Sequence, residues 1–346
     1  MKEVQYNITH KVLNSIVRVE TGKLMQEQHP NYAVRNKLGH KVKSLSIFHL
    51  GHMFGLQLTL KDAEKIVDGK RLEAQDPKLN LLYNFRNVLE YNRSSVGDEN
   101  YAIDSNLLMH LNKIVLTDWR ETWDVRWRSD EDQPDEKTEN WFDLHNEEIT
   151  AEQVEANVYE LCDWYSSNLT RLNPLVLIAV FVFRLIEIAP FAVGNKLTTL
   201  AVIDYLLYRF GYTEKTFLAP VRTVDTYEQE FYEAWQIGVK TGDITIWVER
   251  FVAAVAKDIQ DTKAEVDQFL AEEEKSTNKP FLDLNRRQLK ILRYLQTIPT
   301  VKREDYCQMM DVSTMTAFRD LNDLVSKKLI KIEGRGRGTK YILATR

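Results

Sequence analysis

The most continuous apolar pattern in the chain runs from Pro174 to Ile188 and is apolar nearly all round, as in a helix at the centre of a bundle. It breaks at Ala189-Pro190. A short loop carrying Gly194-Asn195 follows, and a second apolar helical pattern starts at once, ending at Phe210-Gly211. Asn173 is a predicted N-cap with Pro174 at the first helical position, and Asn195 can cap the second helix. The surrounding pattern is also helical. Asn7 to Val19 has apolar residues at helical spacing, and Val42, Leu45, Phe48, His49, His52 and Met53 recur on one face up to Gly55, a predicted C-cap. Thr59 caps a short helix over Asp62 to Val67, ended by Gly69. Leu79 to Tyr91 and Asp104 to Leu116 predict two more helices. Thr150, with Glu152 and Gln153 after it, opens another with a capping box, whose buried face is Val154, Val158, Leu161, Cys162 and Tyr165. Tyr227 to Val239 and Ile244 to about Glu274 complete the set.

Two segments depart from this pattern. Thr117 to Asn146 holds Trp119, Trp123, Trp127 and Trp141 around the acidic run Asp130 to Glu136, and Trp123 to Trp127 alternates like a strand. It reads either as a hairpin-like flap over a pocket or as aromatic packing of an irregular loop. The charged, Ser/Thr/Asn/Pro run Glu272 to Pro280 reads as a linker. Beyond it, amphipathic helices over Arg286 to Leu295, Arg303 to Met310 and Ser313 to Lys328 precede two alternating strands, Leu329 to Glu333 and Thr339 to Leu343. The strands are joined by the basic turn Gly334-Arg-Gly-Arg-Gly338. Three helices and a two-stranded wing describe a winged helix-turn-helix. In its third helix Ala317, Phe318, Leu321, Leu324 and Val325 are the predicted buried face, and Thr314, Thr316, Arg319 and Asn322 the groove-facing candidates. Arg319 is suited to a guanine edge. Arg335, Arg337 and Lys340 on the wing are placed for phosphates or the minor groove.

Charge sharpens this division. Residues 285–346 hold fourteen Lys/Arg against six Asp/Glu, a local +8, so with a total of −5 the remainder carries −13. A basic module on an acidic body predicts that only the module meets a polyanion, double-stranded DNA; use of the winged helix for protein contacts alone is the alternative. Cys162 and Cys307 form no CxxC, which fits a reducing compartment. The first fourteen residues lack the apolar core of a signal peptide. The run from Pro174 to Ile188 is shorter than a bilayer span and contains Arg184 and Glu187. The expectation is a cytoplasmic protein with no membrane partner. The residues leave a homodimer and a further protein partner open.

The central loop has little obvious chemistry. Gly194-Asn195 before a helix leaves backbone N–H groups that attract anions, and Lys196 adds charge, so Gly194, Asn195 and Lys196 are a candidate anion or nucleotide site; a plain interhelical turn is the alternative. His49 and His52 offer half of a metal site or a packed helical face, with no third ligand nearby, so no metal site is assigned.

Ile188-Ala-Pro-Phe-Ala-Val-Gly-Asn-Lys-Leu197 resembles the signature of the Fic (Fido) family: His-Pro-Phe, two residues of which the second is acidic, then Gly-Asn-Gly-Arg. Pro190, Phe191, Gly194 and Asn195 match. Phe54-Gly-Leu-Gln-Leu-Thr-Leu60, with Asp68-Gly69 after it, resembles the family's Glu-Gly-Asn-x-Leu-Thr-Leu segment behind its autoinhibitory helix. The resemblance covers about residues 40 to 346. It implies a mainly α fold, an all-helical Fic-like bundle with a small β-hairpin flap, plus the C-terminal winged helix-turn-helix. The implied regions are 1–100 with the autoinhibitory-like segment, a Fic-like core at 101–275, a linker at 276–284 and the winged helix at 285–346.

In that family the signature His takes the proton of a target hydroxyl that attacks the α-phosphate of ATP, and the acidic residue holds Mg²⁺. The resemblance places Ala189 at the base, Val193 at the metal ligand, Lys196 at the second Gly of the anion cradle and Leu197 at the phosphate-gripping Arg. Phe54, followed by Gly55, stands at the autoinhibitory Glu. A Phe54–Leu197 contact is therefore predicted where the family has a salt bridge. The alternative inhibitory motif is Ser95-Val-Gly-Asp-Glu99-Asn100; the Phe54 placement is preferred because Leu-Thr-Leu and Asp-Gly come with it. Ala has no proton acceptor, and Val no oxygen for a hard cation. Among the histidines, His145 at the end of the flap segment is the one that could substitute. The resemblance thus implies a degenerate Fic-family protein with no intact catalytic residue, no assigned cofactor and no AMP transfer, acting through its winged helix as a DNA-binding regulator or interaction protein. The alternative is a Fic-type nucleotidyltransferase moving AMP from ATP and Mg²⁺ to a protein hydroxyl by an altered mechanism.

Overall fold

The computed structural model describes residues 4–27, 32–73, 76–95, 103–132, 141–143, 148–213, 217–276, 284–298, 300–334 and 339–344. Its contacts divide into two units, one of residues 1–28 and 37–268, the other of 29–36 and 269–346.

In the first unit, α1 (His10–Glu27), α2 (Tyr32–Met53), α3 (Leu60–Val67), α4 (Leu79–Ser95) and α5 (Ser105–Leu116) precede the flap segment. Then come α6 (Val154–Asn168), α7 (Pro174–Ile188), α8 (Asn195–Arg209), α9 (Pro220–Thr226), α10 (Glu228–Thr241) and α11 (Thr245–Ser276). The local rules hold at most helix starts. Thr59 and Asp62 form a reciprocal capping box, as do Thr150 and Gln153. Asp104 accepts from the Leu107 N–H at 2.7 Å, and Asn173 from the Leu175 N–H at 3.0 Å, with Pro174 in the first turn. α7 is buried along its whole length after Pro174, and α8 from Asn195 to Leu207. α8 packs against α4, α5, α7 and α9, so the loop between α7 and α8 lies at the centre. One apolar core runs from Val12 to Ile259; the region before residue 100 and the body after it share it. The chain's start is tied into the same unit. Gln5 pairs with the backbone of Gly242 and Ile244 at 2.9 and 2.8 Å, the Asn7 N–H reaches Thr245 Oγ1 at 2.9 Å, and Thr9 Oγ1 reaches Glu249 at 2.6 Å.

α9 has Pro220 in its first turn but little else in its sequence to mark a helix: Pro-Val-Arg-Thr-Val-Asp-Thr is rich in β-branched residues, and Val221 and Val224 are buried against the body. The flap also differs from the alternation expected of Trp123 to Trp127. Thr122–Asp124 form one 3₁₀ turn, and Trp127 makes a single antiparallel bridge to Phe191. Asp132 accepts from the Ser129 N–H and hydroxyl at 2.7 and 2.9 Å, folding the segment into a turn before a strand can lengthen. The tip, His145, the Ser95–Asn100 alternative beyond Ser95, and most of the linker lie outside the described residues.

The second unit holds α12 (Arg286–Thr297), α13 (Arg303–Met310), α14 (Thr314–Ser326), β1 (Ile330–Glu333) and β2 (Lys340–Leu343). β1 and β2 are antiparallel, Ile330 opposite Leu343 and Glu333 opposite Lys340, and Val301 bridges to Tyr341. Ile291, Leu292, Leu295, Tyr306, Ala317, Leu321, Leu324, Ile330 and Tyr341 form its core. The buried Asp320 carboxylate joins the three helices, accepting from Arg287 Nε at 2.8 Å, Tyr306 Oη at 2.9 Å and Asn285 Nδ2 at 2.8 Å.

Candidate functional site

The central loop is closed by short-range bonds. α7 ends at Ala189, whose backbone is left-handed (φ 39°), and Pro190 prevents the helix from continuing. Phe191 is clasped from within the loop: its N–H donates to Asn195 Oδ1 at 3.0 Å, and its carbonyl accepts from Asn195 Nδ2 at 2.9 Å. Asn195 was expected to cap α8; its side chain instead turns back across the loop, and Gly194 occupies the cap position. Gly194 is required twice over. Its φ is +86°, and a Cβ there would meet Leu116 Cδ2 at 3.0 Å and Asn112 Nδ2 at 3.3 Å. Asn112 Nδ2 donates to the Val193 carbonyl at 2.9 Å and to Thr198 Oγ1 at 3.0 Å, fixing the loop to α5.

The flap covers the other side. The Arg128 N–H donates to the Pro190 carbonyl at 2.8 Å and the Ala192 N–H to the Arg126 carbonyl at 3.1 Å, while the Trp127 and Phe191 rings lie 5.3 Å apart. Arg128 then spends its guanidinium on carbonyls: Nε on Ala189 at 3.1 Å and Ile188 at 3.4 Å, Nη2 on Ile149 at 2.7 Å. A cation at the C-terminus of α7 complements the helix dipole, and burial lowers the Arg128 pKa from its ordinary value. Next to it, Arg126 grips Asp132 through two bonds of 2.6 and 2.7 Å. That guanidinium, opposed by partial burial and helped by Ser129, holds the Asp132 carboxyl down at about 2.

The signature positions are therefore occupied as follows. Ala189 is buried with no titratable side chain, and Val193 is half-buried with no side-chain oxygen. Leu197 is buried in the core. Lys196 is buried too, its Nζ 2.9 Å from Glu228, with the rings of Phe54 and Phe142 each 5.8 Å away. The charge expected to face an anion is thus paired inside the protein. Phe54 does reach the first turn of α8, where its ring stands over Lys196, the neighbour of the predicted Leu197. Gly55 follows α2 with φ +72°, as its predicted role as C-cap requires.

His49 and His52 meet a partner that sequence reading missed, Asp225 at the end of α9. The two Nδ1 atoms stand 2.7 and 2.9 Å from its carboxylate oxygens. Burial works to raise the Asp225 pKa, but the hydrogen bonds from His49 and His52 outweigh it and lower it. The pair faces a carboxylate more than 170 residues away, and no group of three or more metal-ligating side chains is found among the described residues. Of the buried candidates near the loop, Glu187 pairs with Arg184 at 2.5 Å, and Asp204 accepts from Asn92 Nδ2 at 2.9 Å. Cys162 and Cys307 are free thiols, and burial pushes Cys162 up to about 12, too high for a nucleophile at neutral pH.

In the winged helix, Ser313 caps α14 through the Thr316 N–H at 3.2 Å, which half-buries Thr316 against the cap. Thr314 and Arg319 are exposed and Asn322 is half-buried; Arg319 makes no ion pair among the described residues. Phe318 does not belong to the buried face, as its apolar character suggested. It lies one residue past buried Ala317, hence about a quarter turn around the helix, and is exposed. Lys340 is exposed at the start of β2; Arg335 and Arg337 lie outside the described residues.

Residues 102–207 match the model of the Fic/DOC family. They are a Fic/DOC domain. Residues 287–338 match the DeoR-like helix-turn-helix domain. The Fic/DOC fold recurs in solved structures. A Fic family protein from Desulfovibrio desulfuricans is 16% identical with a TM-score of 0.58, over 100% of this chain and 99% of that one. A Fic domain containing signaling protein from Bacteroides thetaiotaomicron is 15% identical with a TM-score of 0.58, over 75% and 98%. Fic-1 from C. elegans is 16% identical with a TM-score of 0.59, over 77% and 74%. At such identity these likenesses bear on fold alone. A search of curated proteins finds no match. The Fic/DOC domain thus spans α5 to α8, with the signature-like loop at its centre, and its chain also carries a helix-turn-helix domain of a DNA-binding type. Among the described residues, no helix is long and apolar enough to cross a membrane.

Proposed function

We propose that this protein is a cytoplasmic regulator that binds double-stranded DNA through its winged helix, and that its Fic/DOC domain does not transfer AMP. The observation that carries the second half is the state of Lys196: the cation of the signature-like loop is buried between two aromatic rings and paired with Glu228 at 2.9 Å. Around it, Ala189 offers no base, Val193 no oxygen ligand and Leu197 no charge. A magnesium–nucleotide needs oxygen ligands and cationic groups at its phosphates, and these residues do not supply them. Asn195, the remaining polar signature residue, is used to clasp Phe191. The first half is supported by the DeoR-like domain, the net charge of +8 over residues 285–346 and the exposed Arg319, which makes no ion pair among the described residues.

Two measurements test this reading. Incubation of the full chain with ATP and Mg²⁺, read by intact mass, is expected to leave the protein unmodified; a stable nucleotide adduct would establish the altered-mechanism transferase instead. Mobility shift with genomic fragments is expected to give salt-sensitive complexes. Replacing both Arg335 and Arg337 by Ala should weaken binding on all sequences and reduce the log–log salt slope by about 0.9 for each phosphate no longer neutralised. An unchanged slope would remove the wing from the interface.

A further inference from the structure

The outward face of α14 is not the polar surface that a solvated helix presents. Met315, Arg319 and Asn322, spaced by four and three residues, share that face, and Phe318 lies at its edge. Met315 is 59% exposed and Phe318 43%, and neither belongs to the unit's core or to the residues packed on it. All four lie in the first nine residues of the helix, the end of a recognition helix that meets base edges. Of the groups that a base pair shows in the major groove, the thymine C5-methyl is the apolar one, while a guanine edge offers two acceptors to an arginine. An exposed thioether and benzyl ring beside an exposed guanidinium, without an ion pair among the described residues, match that combination. One helical turn separates Met315 from Arg319, about 6 Å along the axis, so the two can reach within about two base steps of each other. The occupant is DNA rather than a protein because residues 285–346 carry a net charge of +8, Lys340 is exposed at the wing, and the family match covers this helix.

We infer that Met315 and Phe318 are specificity-determining residues that read thymine methyl groups next to the base contacted by Arg319. This inference rests on the DNA-binding reading above. The test uses the full chain. Duplexes are selected from a random pool, and the selected duplex is compared with one in which deoxyuridine replaces every thymine, which removes only the methyl groups. Wild-type protein is expected to bind the uracil duplex about fourfold more weakly for each thymine methyl that these side chains bury. The double variant Met315→Ala/Phe318→Ala should bind both duplexes alike, with the wild-type salt slope and an unchanged thermal midpoint, since both side chains are exposed. Equal wild-type affinity for thymine and uracil duplexes, or discrimination that survives in the double variant, would overturn the inference while leaving DNA binding intact. Failure to select any duplex would overturn the DNA reading itself and assign the apolar face to a protein partner.

Discussion

The loop between α7 and α8 and the outward face of α14 begin from similar material, a helix start next to a tight turn with a cation nearby. They end in opposite states. In the loop, Lys196 is paired with Glu228, Arg128 is spent on three carbonyls and Asn195 on the loop's own backbone. On α14, Arg319 is unpaired among the described residues, and two large apolar side chains are left in solvent. Cationic residues alone do not mark a binding site; what distinguishes the two regions is whether the fold has already satisfied them. A satisfied group stabilises its surroundings, whereas an unsatisfied one is available to a partner.

The contrast can be broken from either side. The largest effect is expected at Asp320, which supports the open face from behind. Asp320→Ala leaves Arg287, Tyr306 and Asn285 without their shared acceptor. It should destabilise the winged helix by about 2–4 kcal/mol, read as an abolished or lowered unfolding transition and as failure to bind DNA. The pH dependence follows from the same bonds. Burial tends to raise the Asp320 pKa, but Arg287, Asn285 and Tyr306 together lower it. The folded value lies below the unfolded one of about 4, so the contribution is present above that pH and is lost as pH falls through the folded value.

On the closed side, Gly194→Ala puts a Cβ against Leu116 and Asn112 at a left-handed backbone position. A cost of about 1–3 kcal/mol in thermal or denaturant unfolding of the body is expected; a neutral result would mean that the loop has slack. The smallest effect belongs to the flap. Asp132→Asn removes the partner of the half-exposed Arg126 and should cost about 0.2–1 kcal/mol, seen as faster amide exchange at Ser129 with little change in global stability. In the wild type the same loosening should appear only in acid, as pH falls from about 4 toward the Asp132 value of about 2.

Local rules made much of the fold legible. Thr59, Thr150, Asn173 and Ser313 each announce a helix start by a bond formed within three residues, and each makes it; before α5 the sequence offers both Asp104 and Ser105, and Asp104 is the cap. The order of helices and strands after the linker was enough to identify the winged helix. The misread features depend on distant partners or on phase. Lys196 reads as an anion ligand until Glu228, 32 residues on, is brought to it. His49 and His52 read as half a metal site until Asp225 arrives from α9. Phe318 reads as core because apolar character was weighed above its angle from Ala317. Arg128 gave no signal, since its partners are backbone carbonyls that any sequence possesses.

The ties between the first residues and the α10–α11 corner carry a consequence for how the body is made. Asn7 bonds to Thr245 across 238 positions, and Gln5 and Thr9 do the same beside it. On a ribosome adding about 5–20 residues per second, the amino-terminal segment waits on the order of 12–50 s for its partners to emerge. Throughout that interval α1 has nothing to close against at this corner, and the domain behaves as an open ring whose clasp is synthesised last. Shortening the chain before residue 245 therefore removes more than its end: it leaves the beginning unfastened as well.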